Sequence, residues 1–321
     1  MREHPGLPIK MDKRFLPGKS NEVGGVSMFS SLMKLFGGGR KKGDVPRTDI
    51  NERFILESRM GQGSMSKVWR ARDRNIGRTV CLKILDKEKT ARFAARFVGL
   101  QRPHEGQICV MLKHRNIVQT YDWGITTQGE IFLVMELIEG LGLNFLIETK
   151  AKQLEGNRIN FLAQACEGLA YVHEQGFMHR DICPRNIMVT NKNVVKLIDF
   201  GLSIPDTPEF RRPGNRTGTA NYMAPELIKR LATDRRVDLF AMGVTAYETF
   251  TGNLPWEGAQ SLQTMLNHMN SPGRDPREFN PDLDDDLVRL LKKAIERDPR
   301  DRFQTALEFR DALKALPYQH Y

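Results

Sequence analysis

Near Ile138-Glu139-Gly140 the apolar pattern of the chain changes period, and no other feature constrains the fold as strongly. Ahead of that point, short apolar runs bounded by turn residues read as strands: Phe54-Ile55-Leu56, Val68 to Arg72, Thr79 to Leu85 and Ile131 to Leu137. Behind it, Ile159, Leu162, Cys166, Leu169 and Val172 recur at helical spacing and mark one face of a long helix ending at Gly176. Further helices are expected over Leu239 to Phe250 and Leu287 to Ile295. Strands segregated in front of helices predict an α+β fold of two lobes, an N-lobe over about 50–137 and a C-lobe over about 138–318. With 321 residues, both lobes can bury a core.

The first 49 residues stand apart. They carry ten Lys/Arg against five Asp/Glu, so about half of the net charge of +10 sits in a short basic tail that is expected to be disordered. Within it, Met28, Phe29, Leu32, Met33, Leu35 and Phe36 fall at near-helical spacing before Arg40-Lys41-Lys42, a pairing expected to give the 28–42 segment weak contact with an anionic membrane. No nucleic-acid motif accompanies the basic charge, so no nucleic-acid partner is expected. No apolar run approaches the roughly 18 to 20 residues of a spanning helix, and MREHPGLPIKMDKRF lacks the apolar centre of a secretory leader. Cys81, Cys109, Cys166 and Cys183 show no CxxC spacing, which predicts reduced thiols and a cytoplasmic protein, peripheral at the membrane where the tail engages it. Oligomeric state has no signature in the sequence.

The chemistry-bearing residues form an ordered set. Asp181, in His179-Arg180-Asp181, is a carboxylate that could accept a hydroxyl proton; Asn186 follows five residues later and Asp199-Phe200-Gly201 thirteen beyond that, oxygen ligands suited to magnesium on nucleotide phosphates. Upstream, Gly61-Gln62-Gly63-Ser64-Met65-Ser66-Lys67-Val68 joins two strands, where missing Cβ atoms let backbone N–H groups approach phosphate. Lys83 then lies in the apolar strand Val80-Cys81-Leu82-Lys83-Ile84, where its charge must be paired or left wet.

Taken in order, and with Ala224-Pro225-Glu226 downstream, these motifs resemble those of the eukaryotic-type serine/threonine protein kinases, over about residues 52–318. The resemblance implies the two-lobed kinase fold and transfer of the ATP γ-phosphoryl group to protein Ser or Thr hydroxyls, with ATP and Mg²⁺ required. It implies that Asp181 orients and deprotonates the hydroxyl, that Asn186 and Asp199 bind the metal, and that Lys83 and Glu105 position the phosphates. Glu105 precedes the segment Lys113-His114-Arg115-Asn116-Ile117-Val118; because Pro103 belongs in a first helical turn, Glu105 is expected at a helix start, not mid-helix. The nucleotide is expected to meet Gly61, Gln62, Gly63, Ser64, Ser66, Val68, Cys81, Lys83, Met135, Glu136, Ile138 and Met188. Thr219 is expected to bond Asp181, Asp238 to anchor the catalytic loop and Arg302 to pair with Glu226.

The chain departs from the family pattern at three places. Ser66 replaces the third glycine, Arg115 replaces a proline, and Cys183 stands where a lysine usually neutralises the γ-phosphate. Magnesium and nearby cations are expected to lower the Cys183 pKa and make it the reactive thiol. Arg211, Arg212 and Arg216 make the 199–226 segment basic, so phosphate on Thr217 could order it, although Asn215 occupies the usual phosphosite. Cys183, Ser66 and the setting of Glu105 between Pro103 and Gly106 motivate an alternative, a nucleotide-binding pseudokinase or weakly active scaffold. It loses to the enzyme reading because Lys83, Glu105, Asp181, Asn186 and Asp199 are all present. The peptide-positioning run Gly218 to Glu226 argues against a small-molecule kinase.

Overall fold

A computed structural model of the chain describes residues 46–62, 66–214, 216–258 and 270–317, with side chains omitted at Gly61 and Gln62. The basic tail through residue 45, including 28–42, lies outside the described residues, as do Gly63, Ser64 and Asn215.

Six strands form the first sheet: β1 (Arg47–Thr48), β2 (Phe54–Gln62), β3 (Ser66–Asp73), β4 (Arg78–Leu85), β5 (Thr120–Thr126) and β6 (Ile131–Met135), in spatial order β1-β5-β6-β4-β3-β2. All neighbours run antiparallel except β1, which pairs parallel with β5. Arg47 and Thr48 thus join the sheet ahead of the domain start expected at residue 50. The β3–β4 turn closes because Asp73 Oδ1 accepts the Asn75 N–H (2.8 Å) and Gly77 adopts φ +68°. Alternation does the rest. Val80 and Leu82 of β4 enter an apolar cluster with Phe54, Ala71, Phe132 and Val134, and this turns Cys81 and Lys83 to the opposite face.

Between β4 and β5 lie two short helices, α1 (Lys87–Ala94) and α2 (Glu105–Met111). The expected strand through Leu137 stops at Met135, because Glu136 leaves the ladder and donates its N–H to Gln119 O (2.9 Å). Past this connection, β7 (Gly140–Gly142), β9 (Ile187–Thr190) and β10 (Val195–Leu197) make a three-stranded sheet, and β8 (Phe177–Met178) pairs with β11 (Ile204–Pro205). Gly140 is obligatory there: a Cβ would lie 2.2 Å from Val189 O.

The C-lobe is built on α3 (Arg158–Glu174), α4 (Arg236–Thr251), α5 (Asp285–Ala294) and α6 (Ala306–Lys314). The five residues expected on the α3 face are buried. So are Phe161, Ala163, Ala165 and Ala170, so α3 is enclosed on most of its circumference instead of one face. Small residues permit this; Gly168 lets the Asn116 carbonyl approach to 2.8 Å of where a Cβ would be. Among the described residues no helix is long and apolar enough to cross a membrane. The α+β arrangement of strand-rich and helical lobes is the one expected.

Candidate active site

Lys83 is the hub. On the face of β4 opposite the apolar cluster, its Nζ contacts Glu105 Oε1 at 2.6 Å and Asp199 Oδ1 at 2.8 Å. Glu105 is the first residue of α2, at the helix start that Pro103 implied. His104 sets that start: its Nδ1 accepts the Gln107 N–H (3.3 Å) while Gln107 Oε1 accepts the His104 N–H (3.1 Å), a reciprocal cap. Burial, reinforced by Arg102, brings the His104 pKa down to about 4, which keeps the imidazole neutral and its Nδ1 lone pair available to the cap.

One ammonium serves two carboxylates, and this decides the charges. Burial opposes ionisation of Lys83, but Asp199 and Glu105 outweigh it and hold the amine above its usual range. Burial would likewise raise Asp199; Lys83 and the Gly201 N–H (3.2 Å) hold it below the usual carboxylate range instead. Glu105 is the least favoured anion, pushed up by burial and by Asp199 against the pull of Lys83.

The loop that carries Asp181 hangs from Asp238 on α4. Its buried carboxylate accepts the N–H groups of His179 (2.8 Å) and Arg180 (2.7 Å) and lies 2.9 Å from His173 Nε2. Burial works against that charge, yet the His173 bond and neighbouring donors keep the Asp238 pKa low. Arg180 (φ +66°) and Asp199 (φ +63°) both adopt left-handed backbone, strain that only the surrounding packing can hold. The Phe200 ring packs 4.8 Å from that of His179, and the Ile198 N–H donates to Asn186 O (2.9 Å), tying the two loops together.

At Asp181, Oδ1 accepts both the N–H and the Oγ1–H of Thr219, each at 2.8 Å, and Oδ2 accepts Asn186 Nδ2 at 2.9 Å. The expected Thr219 contact is present. With Asn186 Nδ2 so engaged, its Oδ1 is directed elsewhere, and Asp199 Oδ2 takes no part in the Lys83 contact. Two oxygen donors, one of them a firmly ionised carboxylate, fit a hard cation of the Mg²⁺ type.

Among the residues expected to face the nucleotide, Val68 stands opposite Lys83 and Cys81 opposite Met135 in the sheet registers, so all four share one face of the sheet. Ser66, two residues before Val68, belongs to the same face and is buried. Gly61 and Gln62 end β2 opposite Val68 and Lys67. Met188 is on β9, facing Gly142 of β7. Glu136 directs its carboxylate away, to Lys196 Nζ and the Gln119 N–H, both at 2.7 Å. Ile138 is half-buried in the connection between the lobes.

Cys183 overturns the expectation made for it. Its side chain is only 1% exposed and Thr219 Oγ1 approaches Sγ at 3.9 Å. Burial, with the negative Asp181 nearby, pushes the thiol up to about 11. Spacing placed Cys183 beside cations, but an enclosed thiol next to a carboxylate loses ionisation. Only about one thiol in 10³ is then a thiolate at pH 8. Alkylation of Cys183 by iodoacetamide should therefore be slow at neutral pH and rise about tenfold per pH unit between 7 and 9. Mass-spectrometric peptide mapping checks this; complete labelling within minutes at pH 7 would contradict it.

In the segment after Asp199, Arg211 and Arg235 bind Asp206, and Thr217 is buried. Arg212, Arg216 and Arg230 line a cavity of about 640 Å³ with Arg96 from the N-lobe side. The presence of Arg96 in this cavity had no sequence signal, since only the fold brings it there. Farther on, Arg302 grips Glu226 through two bonds of 2.8 Å, as expected.

Residues 54–314 match the model of the protein kinase domain. The chain is 32% identical over 266 residues to the serine/threonine-protein kinase PknB of Mycobacterium leprae, covering 81% of this chain and 42% of that protein. PknB of Mycobacterium tuberculosis gives 32% over 267 residues with the same coverage. A probable serine/threonine-protein kinase of Clostridium perfringens gives 33% over 263 residues, 81% of this chain and 37% of that protein. The chain thus spans about two fifths of the length of these relatives. Matched along four fifths of its length and carrying the Lys83–Glu105 and Asp181–Asn186 contacts in place, the chain belongs to the protein kinase family.

Proposed function

We propose that this chain transfers the γ-phosphoryl group of ATP to a serine or threonine hydroxyl of a protein. The observation that carries the reading is the environment of Asp181, held by Thr219 on one oxygen and Asn186 on the other. In this reading Asp181 takes the hydroxyl proton as the substrate oxygen bonds to the γ-phosphorus. The bond to the β–γ bridging oxygen breaks, and ADP leaves with that electron pair. Lys83, fixed by Glu105, holds the α- and β-phosphates. Asn186 Oδ1 and Asp199 are the protein ligands for Mg²⁺, which when bound neutralises phosphate charge. Val68, Cys81, Met135, Ile138 and Met188 enclose the base, with Ser66 on the same face of the sheet nearer the phosphates. A neutral Cys183 contributes no positive charge to the transition state.

The catalytic domain so defined begins at about residue 47, where β1 joins the first sheet, three residues ahead of the expected start. Labelled phosphate incorporated into a basic protein should require Mg²⁺ and should be abolished in Asp199→Ala, which removes a metal-binding carboxylate. Undiminished incorporation in Asp199→Ala would reject the mechanism. ATP binding without transfer in the wild type would favour the scaffold reading, whose physical basis is Cys183.

A further inference from the structure

Arg102 belongs to none of the motifs above, yet it touches the magnesium loop. Its Nη2 donates to Gly201 O (2.9 Å) and Ser203 O (2.8 Å), and its Nε donates to Ser203 O (3.1 Å). The guanidinium carbon lies 4.5 Å from the Phe93 ring centroid and 5.9 Å from that of Phe97. Both rings belong to an apolar cluster with Met178, Ile204 and Phe210, so α1 and the turn after it pack directly on the C-lobe at this point. Burial, with Arg180 adding to it and Glu105 opposing, lowers the Arg102 pKa to about 10, so the group is still a cation at neutral pH.

The contacts close a ring through the active site. Three residues after Arg102, Glu105 binds Lys83; Lys83 binds Asp199; two residues after Asp199, the Gly201 carbonyl returns to Arg102. Asp199 occupies a left-handed backbone conformation and needs its neighbours to hold it there. A guanidinium is suited to the task because its planar donors engage two carbonyls in fixed geometry while its faces stack on rings. We propose that Arg102 is a positioning residue for Asp199: by clamping Gly201 and Ser203 it fixes the carboxylate that receives magnesium and locks it in step with the start of α2. The proposal rests on the reading of Asp199 as a magnesium ligand.

The test is ATP affinity, measured calorimetrically in Mg²⁺ and in EDTA, for the full chain and for Arg102→Gln, Arg102→Lys and Phe93→Leu. The gain in affinity on adding Mg²⁺ should shrink by about tenfold in Arg102→Gln, the scale expected when the support of a metal ligand is removed. The loss should be smaller in Arg102→Lys, with affinity in EDTA unchanged in both. Phe93→Leu loosens the same packing without removing a donor and should keep the magnesium gain. An undiminished gain in Arg102→Gln overturns the proposal, as does an equal loss in Phe93→Leu, which would reduce Arg102 to packing. If Arg102→Gln does not fold, Arg102→Lys decides by the same comparison. Phosphate transfer is scored separately, so a wild type that binds MgATP and transfers nothing would sink the enzyme reading while the magnesium gain still decides the role of Arg102.

Discussion

Replacing Asp181 by Asn should lower kcat by about 10²- to 10⁴-fold, the usual worth of a positioned general base. Asn preserves the size of the side chain, and its carbonyl can still accept from Thr219, as Asp181 Oδ1 does at 2.8 Å. What it loses is the ability to take a proton. It also sets an NH₂ donor against Asn186 Nδ2, which now donates to Oδ2 at 2.9 Å. The Lys83–Glu105–Asp199 cluster is untouched, so KM for ATP should stay within about twofold, the pattern of an interaction made only in the transition state. Steady-state kinetics on a peptide substrate separate the two constants. A variant in which KM carries the whole loss, or in which kcat is unchanged, would remove Asp181 from the role of base.

The site was legible wherever its chemistry depends on residue identity and spacing along one loop. His179 to Asn186, Asp199 to Gly201 and Gly218 to Glu226 are local runs whose contacts are set by a few bonds. Even the start of α2 was readable, because Pro103 restricts where a helix can begin. Two things were hidden. Burial is a property of the whole fold, so the sequence placed Cys183 beside cations but could not reveal that it is enclosed next to Asp181. Non-local pairing was the other: Arg47–Thr48 show no periodicity, and they become a strand only because β5 offers an edge. Arg102 combines both problems. Its carbonyl partners lie about a hundred residues away, and nothing in Leu100-Gln101-Arg102-Pro103 marks it out.

Removing the Glu226 carboxylate should destabilise the fold by about 3–5 kcal/mol, the cost of leaving a buried charge without its partner. The Arg302 side chain is 0% exposed and stacks 4.8 Å over the Phe240 ring. Its remaining donors are occupied by the carbonyls of Glu296 (2.6 Å), Arg297 (2.9 Å) and Arg236 (3.3 Å), so it cannot swing out to water without breaking them. In Glu226→Ala the guanidinium would stay buried with two donors unmet, whereas Glu226→Ala combined with Arg302→Met removes the orphaned charge together with its cause. The double variant should therefore be less destabilised than the sum of the two single ones, by an amount on the order of 1–3 kcal/mol. Urea unfolding of the four proteins measures this directly. A loss below about 1 kcal/mol in Glu226→Ala would make the pair no better than a surface ion pair. Activity should fall with stability here, because Glu226 lies seven residues beyond Thr219 on the segment that bonds Asp181. Loosening that segment frees the carboxylate the proposed reaction depends on, so a variant far from the phosphates should still lose turnover before it unfolds.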